Sequence, residues 1–243
     1  MAQQQIIGFD RKIKLEWLEI VVELISQGIS ISELRQQLDS ILANEISVNM
    51  KDAAMKKTIT VLTRIWCNVP EHLVLLRNEG LCIVKHTPSQ ERKLIHLGMA
   101  MANYRFCFDV MSQVGRLAKL QEELSSAQIK RRMKETWGST ERVTRSTRHV
   151  LQNLRLWGFL RETGKKGNYS LCKPVKTSSK KLEVWLVKAF LHAFGKPVSY
   201  ETVSNHPALF FTELNLDMDS FSREACLEVT NQGLDTYMVS LTI

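Results

Sequence analysis

Ser125–Lys176 reads SSAQIKRRMKETWGSTERVTRSTRHVLQNLRLWGFLRETGKKGNYSLCKPVK, and this stretch decides the fold. Its first part, Ala127 to Trp137, sets Ile129, Met133 and Trp137 four residues apart, so they share one helical face. Gly138 follows as a C′ residue that can take a left-handed conformation at no steric cost. Ser139 or Thr140 then supplies an N-cap, with a new helix from Arg142. Helix, short glycine-containing turn, helix is the pattern of a helix-turn-helix.

The second helix divides into two faces. Val143, Thr147, Val150, Leu151 and Leu154 form an inward stripe. The other side carries Arg142, Arg145, Arg148, His149, Gln152 and Arg155, long donors suited to phosphates and to purine edges in a major groove. An ordinary solvated face is the competing reading, but such faces mix signs so that i,i+4 pairs form. Glu141 alone interrupts this one.

After Gly158 come Phe159–Thr163, a Gly-Lys-Lys-Gly-Asn turn at 164–168, and Tyr169–Cys172. Two short apolar runs around such a turn predict a hairpin. A basic hairpin tip directly after a groove-reading helix is a wing, placed beside the sugar-phosphate backbone.

Charge is concentrated in the same place. Residues 125–176 hold 13 Lys/Arg and 3 acids, a local net of +10, whereas the whole chain is +8 and the remainder therefore −2. A single cationic patch beside a groove-reading element attracts polyanions and releases counterions on contact.

With 243 residues the chain can bury an ample core. No apolar run approaches the ~20 residues of a membrane span, and the N-terminus shows no charged leader followed by an apolar block. The five cysteines (Cys67, Cys82, Cys107, Cys172 and Cys226) are scattered, without C-x-x-C spacing, which suits reduced thiols in a cytoplasm.

Working outward, the periodicity predicts helices over Asp10–Gln27, from Ser30 or Ser32 to Leu42, and over Asn49–Cys67. A short helix from Pro70 to Arg77 should end at Asn78-Glu79-Gly80, and a long, central, buried one should run from Pro88 through Met111. The segment from about Asp109 to Glu123 would supply the first helix of the winged unit. Beyond it, Leu182–Phe194 is a strong amphipathic helix, Ser199 caps a short helix to Asn205, Ser220–Asn231 reads as helix and Tyr237–Ile243 as strand. That order resembles a second, degenerate helix-turn-helix, lacking basic residues on its last helix and better suited to packing or to a partner.

Enzyme signatures fail one by one. Five residues separate Gly158 from Gly164 and no hydroxyl follows the lysines, so there is no Walker A loop. The six histidines form no H-E-x-x-H pair and have no cysteine at ligand spacing. Asn215, Asp217 and Asp219 alternate like the start of a calcium loop, but its glycine is absent. Asn168-Tyr169-Ser170 is a formal glycosylation sequon, of no consequence in a cytoplasmic chain. No catalytic residue, metal ligand, cofactor or small-molecule substrate is expected.

Lys130–Gly138 (K-R-R-M-K-E-T-W-G) and Val150–Leu160 (V-L-Q-N-L-R-L-W-G-F-L), preceded by a helical bundle, resemble the small helical "A" component of bacterial BREX phage-defence systems. The likeness is one of layout over residues 10–175. It implies a non-enzymatic DNA-binding accessory, with larger methyltransferase or ATPase components of the defence system as partners.

The sequence therefore predicts a mainly α protein: an N-terminal bundle (1–108), a winged helix-turn-helix (109–176) and a small α+β C-terminal region (177–243). Double-stranded DNA is the expected partner. Arg142, Arg145, Arg148, His149 and Gln152 would lie in or over the major groove. Ser139 and Thr140 would hold phosphate at the positive helix start, Lys165, Lys166 and Asn168 would touch the backbone from the wing, and Lys130, Arg131, Arg132 and Lys134 would reach an adjacent strand. A transcriptional regulator, with the bundle as dimerisation or sensing domain, and a protein–protein adaptor are the competing readings.

Overall fold

The computed structural model describes residues 7–43, 51–216, 218–222, 226–233 and 236–242. The protein is mainly helical, with small sheets. An N-terminal bundle comprises α1 (Leu15–Ser26), α2 (Ile31–Ala43), α3 (Lys51–Trp66), a 3₁₀ turn at Glu71–Leu73, α4 (Val74–His86) and α5 (Ser89–Asn103). The next unit comprises α6 (Arg105–Ala118), β1 (Leu124–Ser125), α7 (Ser126–Trp137), α8 (Glu141–Leu156) and a hairpin of β2 (Leu160–Glu162) and β3 (Asn168–Leu171). β4 (Val175–Lys176) leads to α9 (Lys180–Phe194), β5 (Val198–Ser199), α10 (Tyr200–Asn205), a 3₁₀ turn at Pro207–Leu209, β6 (Thr212–Glu213), α11 (Met218–Ser222), β7 (Leu227–Asn231) and β8 (Tyr237–Leu241).

Helix starts follow local chemistry. Ser125, Thr140, Ser179 and Ser199 each accept a backbone N–H of the helix they open, at 3.1–3.3 Å. Gly138 ends α7 with φ 87° and ψ 154°, a conformation that side chains strongly disfavour, and thereby re-aims the chain into α8.

Four expectations are corrected. The first helix begins at Leu15 rather than Asp10, because the residues before it run extended against α8. Gly80 does not end a helix. It lies inside α4, where its missing side chain makes room for the Trp185 ring. The long stretch from Pro88 to Met111 breaks at Tyr104 (φ −124°, ψ 95°), whose ring turns in against Phe9 at 5.6 Å. The region expected to be helical from Ser220 to Asn231 becomes strand from Leu227, since alternating Leu227 and Val229 pair with Leu241 and Val239 of β8. Asn49 and Ile243, named above as element ends, lie outside the described residues.

The sheets reveal a repeat of connectivity that no sequence periodicity announces. β1 pairs with β3, giving the order β1-β3-β2, and β5 pairs with β8, giving β5-β8-β7. In both cases a helix, a short strand, further helices and a hairpin follow one another, and the short strand closes on the hairpin's last strand.

Two buried helices meet at the centre, α5 and α9. Trp185 of α9 is wedged against glycines of two neighbours: a methyl on Gly80 would lie 2.8 Å from its ring and one on Gly98 2.6 Å. Its Nε1 donates to the Leu76 carbonyl at 2.8 Å. A second close approach joins α6 to the Pro207 turn, where a methyl on Gly115 would stand 1.9 Å from the Pro207 carbonyl oxygen. Arg105 and Lys119, at the two ends of α6, donate to the Ala193 and Asn205 carbonyls at 2.7 and 2.8 Å, capping α9 and α10.

His206 sits in this joint, stacked on Phe108 (5.5 Å) with Phe190 and Phe194 around it. Its Nδ1 accepts the Ala208 N–H at 3.1 Å, which requires an unprotonated nitrogen. Burial, and then Arg116, Lys119 and Arg105, push its pKa down from 6.5 to about 4. Between these two values the unfolded chain binds the proton and the folded one does not. Stability is therefore full above pH 6.5 and declines as pH falls towards 4. The melting temperature should drop over that interval, and His206→Phe should drop less.

Candidate nucleic-acid interface

α8 is built as the sequence suggests on its inner side, with Val143, Thr147, Val150, Leu151 and Leu154 buried. Thr140 spends its hydroxyl oxygen on the Val143 N–H at 3.3 Å, and Ser139 stands exposed in the turn before it. The outer side splits into two strips. Arg145, Arg148, Gln152 and Arg155 follow one another at helical spacing and are exposed or half-buried. Neither Arg145 nor Arg148 meets a carboxylate or other hydrogen-bond acceptor among the described residues. Arg155 approaches Glu162 of β2 at 3.5 Å, a weak exposed pair.

The second strip, Arg142, Ser146, His149 and Asn153, faces an extended N-terminal segment, Ile7–Lys14. Arg142 donates to the Ile7 carbonyl at 2.8 Å. His149 is half-buried. Burial and the cations Arg148, Arg11 and Arg145 hold its pKa below the ordinary histidine value, against a smaller opposing effect of Asp10. A neutral imidazole adds no charge to the surface. The free cationic strip is thus narrower than the sequence face from Arg142 to Arg155.

The hairpin tip is held by Thr163 N–H to the Asn168 carbonyl and Asn168 N–H to the Lys165 carbonyl, both 3.0 Å. That turn leaves Lys165 and Lys166 exposed. Asn168 instead donates its amide to Glu123 at 3.1 Å, tying the hairpin to the residue just before β1. On α7, Lys130 and Lys134 are half-buried, and Arg131 is exposed and lies 3.8 Å from Glu135. Arg132 reaches back to Gln113 of α6 at 3.5 Å. Trp137 donates to Asp109 at 3.0 Å, anchoring the end of α7 on α6. Burial raises the Asp109 pKa, with Arg105 the chief opposing influence.

Sequence reasoning missed three residues of this surface: Arg11 and Lys12 on the extended segment, and Asn153, which holds it. One signal was available. An amide in the buried register of a helix, one turn beyond Val150, needs polar partners from outside that helix.

The C-terminal repeat of the connectivity carries the opposite charge. From Pro197 to Ile243 there is one arginine against seven acids. Among the described residues no group of three or more His, Cys, Asp or Glu is arranged to hold a metal, and no helix is long and apolar enough to cross a membrane.

A groove of about 590 Å³ between α1 and the α4–α5 corner is lined by Glu16, Glu19, Glu23, Lys85, Arg92 and Lys93 among others. Its inner polar groups satisfy one another. Trp66 Nε1 donates to His96 Nδ1 at 3.2 Å, so His96 carries its proton on Nε2, which faces Glu19 at 3.1 Å. Burial raises the Glu19 pKa, but its bonds to His96 and Arg92 prevail and leave it below the usual carboxylate value. Compared with families of known proteins, with individual curated proteins and with solved structures, the chain finds no match.

Proposed function

We propose that the protein binds double-stranded DNA without chemistry of its own, through Ser126–Leu171 acting as a winged helix-turn-helix. The observation that carries this reading is the strip Arg145, Arg148, Gln152 and Arg155, of which the first two have no acidic partner among the described residues. Unpaired guanidinium groups along one helix flank suit phosphates and guanine edges. The connectivity supports it too: a helix, a short strand, two helices and a hairpin whose tip exposes Lys165 and Lys166. The acidic C-terminal unit would repel a polyanion and is better suited to protein contacts.

A role as an accessory of a phage-defence system, with other defence proteins as partners, rests on the sequence resemblance alone.

Salt dependence tests the reading. Affinity for a labelled duplex should fall steeply between about 50 and 200 mM salt, as counterion release demands. Binding that is absent at about 50 mM salt, or indifferent to salt, points to an adaptor instead. Preference for structured RNA over duplex in direct competition would also overturn it.

A further inference from the structure

The segment Ile7–Lys14 is part of the architecture of α8. Asn153 accepts the Ile13 N–H at 2.9 Å through Oδ1 and donates to the Arg11 carbonyl at 2.8 Å through Nδ2. Trp157 Nε1 donates to the Ile13 carbonyl at 2.9 Å. Phe9 is buried between Tyr104 and Trp157, and Ile13 is fully buried. Phe9 also holds φ at 62°, a left-handed value that a non-glycine residue keeps only where surrounding contacts fix it. Lifting this segment would expose two core side chains and leave the Asn153 amide unpaired in the interior, so it is a permanent fixture.

What it presents is basic. Phe9 and Ile13 point inward, and Lys12 stands exposed. Arg11 is half-buried, its Nη1 donates to the Asp10 carbonyl at 2.9 Å, and its charge bears on the His149 imidazole together with those of Arg148 and Arg145. The segment thus lies over one flank of α8, with the charge of Arg11 bearing on the neighbouring strip and Lys12 exposed on the segment itself.

We propose that Ile7–Lys14 is a fixed arm of the nucleic-acid interface, offering Arg11 and Lys12 to backbone phosphates beside the groove that α8 enters. The arm takes over a flank on which Arg142 holds its Ile7 carbonyl. This rests on the reading that α8 faces duplex DNA.

The test is fluorescence anisotropy of the full chain with a labelled duplex of random sequence, at several salt concentrations. Arg11→Ala/Lys12→Ala should weaken binding on the order of tenfold and reduce the slope of log K against log salt by about 1–2. The segment is held by its main chain and by Phe9 and Ile13, so the melting temperature should hardly change. Lys12→Glu, at an exposed position, should weaken binding without touching the core and guards against a folding defect in the double variant. Lys57→Ala on α3, outside the interface, should bind as wild type. Wild-type affinity in both arm variants, with loss in Arg145→Ala/Arg148→Ala, overturns the arm and leaves the α8 reading standing. Wild-type affinity in Arg145→Ala/Arg148→Ala as well removes the reading on which the arm depends.

Discussion

Trp185→Ala is expected to lower the unfolding free energy by about 3–5 kcal/mol, measured by denaturant titration. The side chain is buried at the crossing of α9 with α4 and α5, and two helices have given up side chains to admit it. Removing the ring leaves a cavity between rigid backbones that cannot collapse far, and it removes the donor to the Leu76 carbonyl. A companion variant makes the claim sharper. Gly98→Ala in the wild-type background should cost about 1–3 kcal/mol by overpacking. In the Trp185→Ala background the methyl group falls into the vacated space, so the two losses should be far from additive. Additive losses would show that the ring and the glycine do not share one contact.

Arg145→Ala and Arg148→Ala should each weaken duplex binding by about 1–3 kcal/mol if the side chain reads a base, and by less if it meets only phosphate. The two cases separate on sequence: loss of a base contact relaxes preference at one position, whereas loss of a phosphate contact weakens all duplexes alike. Both side chains are solvated and carry no structural hydrogen bond among the described residues, so stability should hold while affinity falls. Lys165→Ala at the hairpin tip should behave as a phosphate contact, with a uniform loss and a shallower salt slope.

Much of this arrangement was legible in the chain. The spacing of Ile129 and Met133, the Trp137-Gly138 stop, the Thr140 cap and the buried stripe from Val143 to Leu154 all act within a dozen residues, where propensity and periodicity speak directly. The lysine-tipped hairpin was legible for the same reason. What escaped is what depends on distant partners. Gly80 looks like a helix end until Trp185 is placed against it from 105 residues further along. Residues 10–14 carry on the helical spacing of Trp17 and Ile20, yet Asn153 and Trp157, 140 or more positions beyond Ile13, bind the backbone there in an extended path. β1 is two residues long and exists only because β3 lies beside it. Leu227–Asn231 carries a weak helical pattern that pairing with β8 overrides. On the interface itself, residue type located the cationic strip. It could not separate Arg145 and Arg148, which stay free, from Arg142 and Asn168, which are engaged in holding the protein together.

α6 serves two masters. One side supports α7 and α8, and another receives the Pro207 turn and the end of α9 with no space between backbones at Gly115. A reader domain on a flexible tether can swivel freely once it has found its target. Ser126–Leu171 has no such tether, because the helix that carries it is also the seat of its acidic counterpart. A bound duplex would therefore set the angle at which the whole remaining surface is offered to a third molecule. Changing Gly115 would disturb that angle before it disturbed Arg145, Arg148 or the hairpin tip.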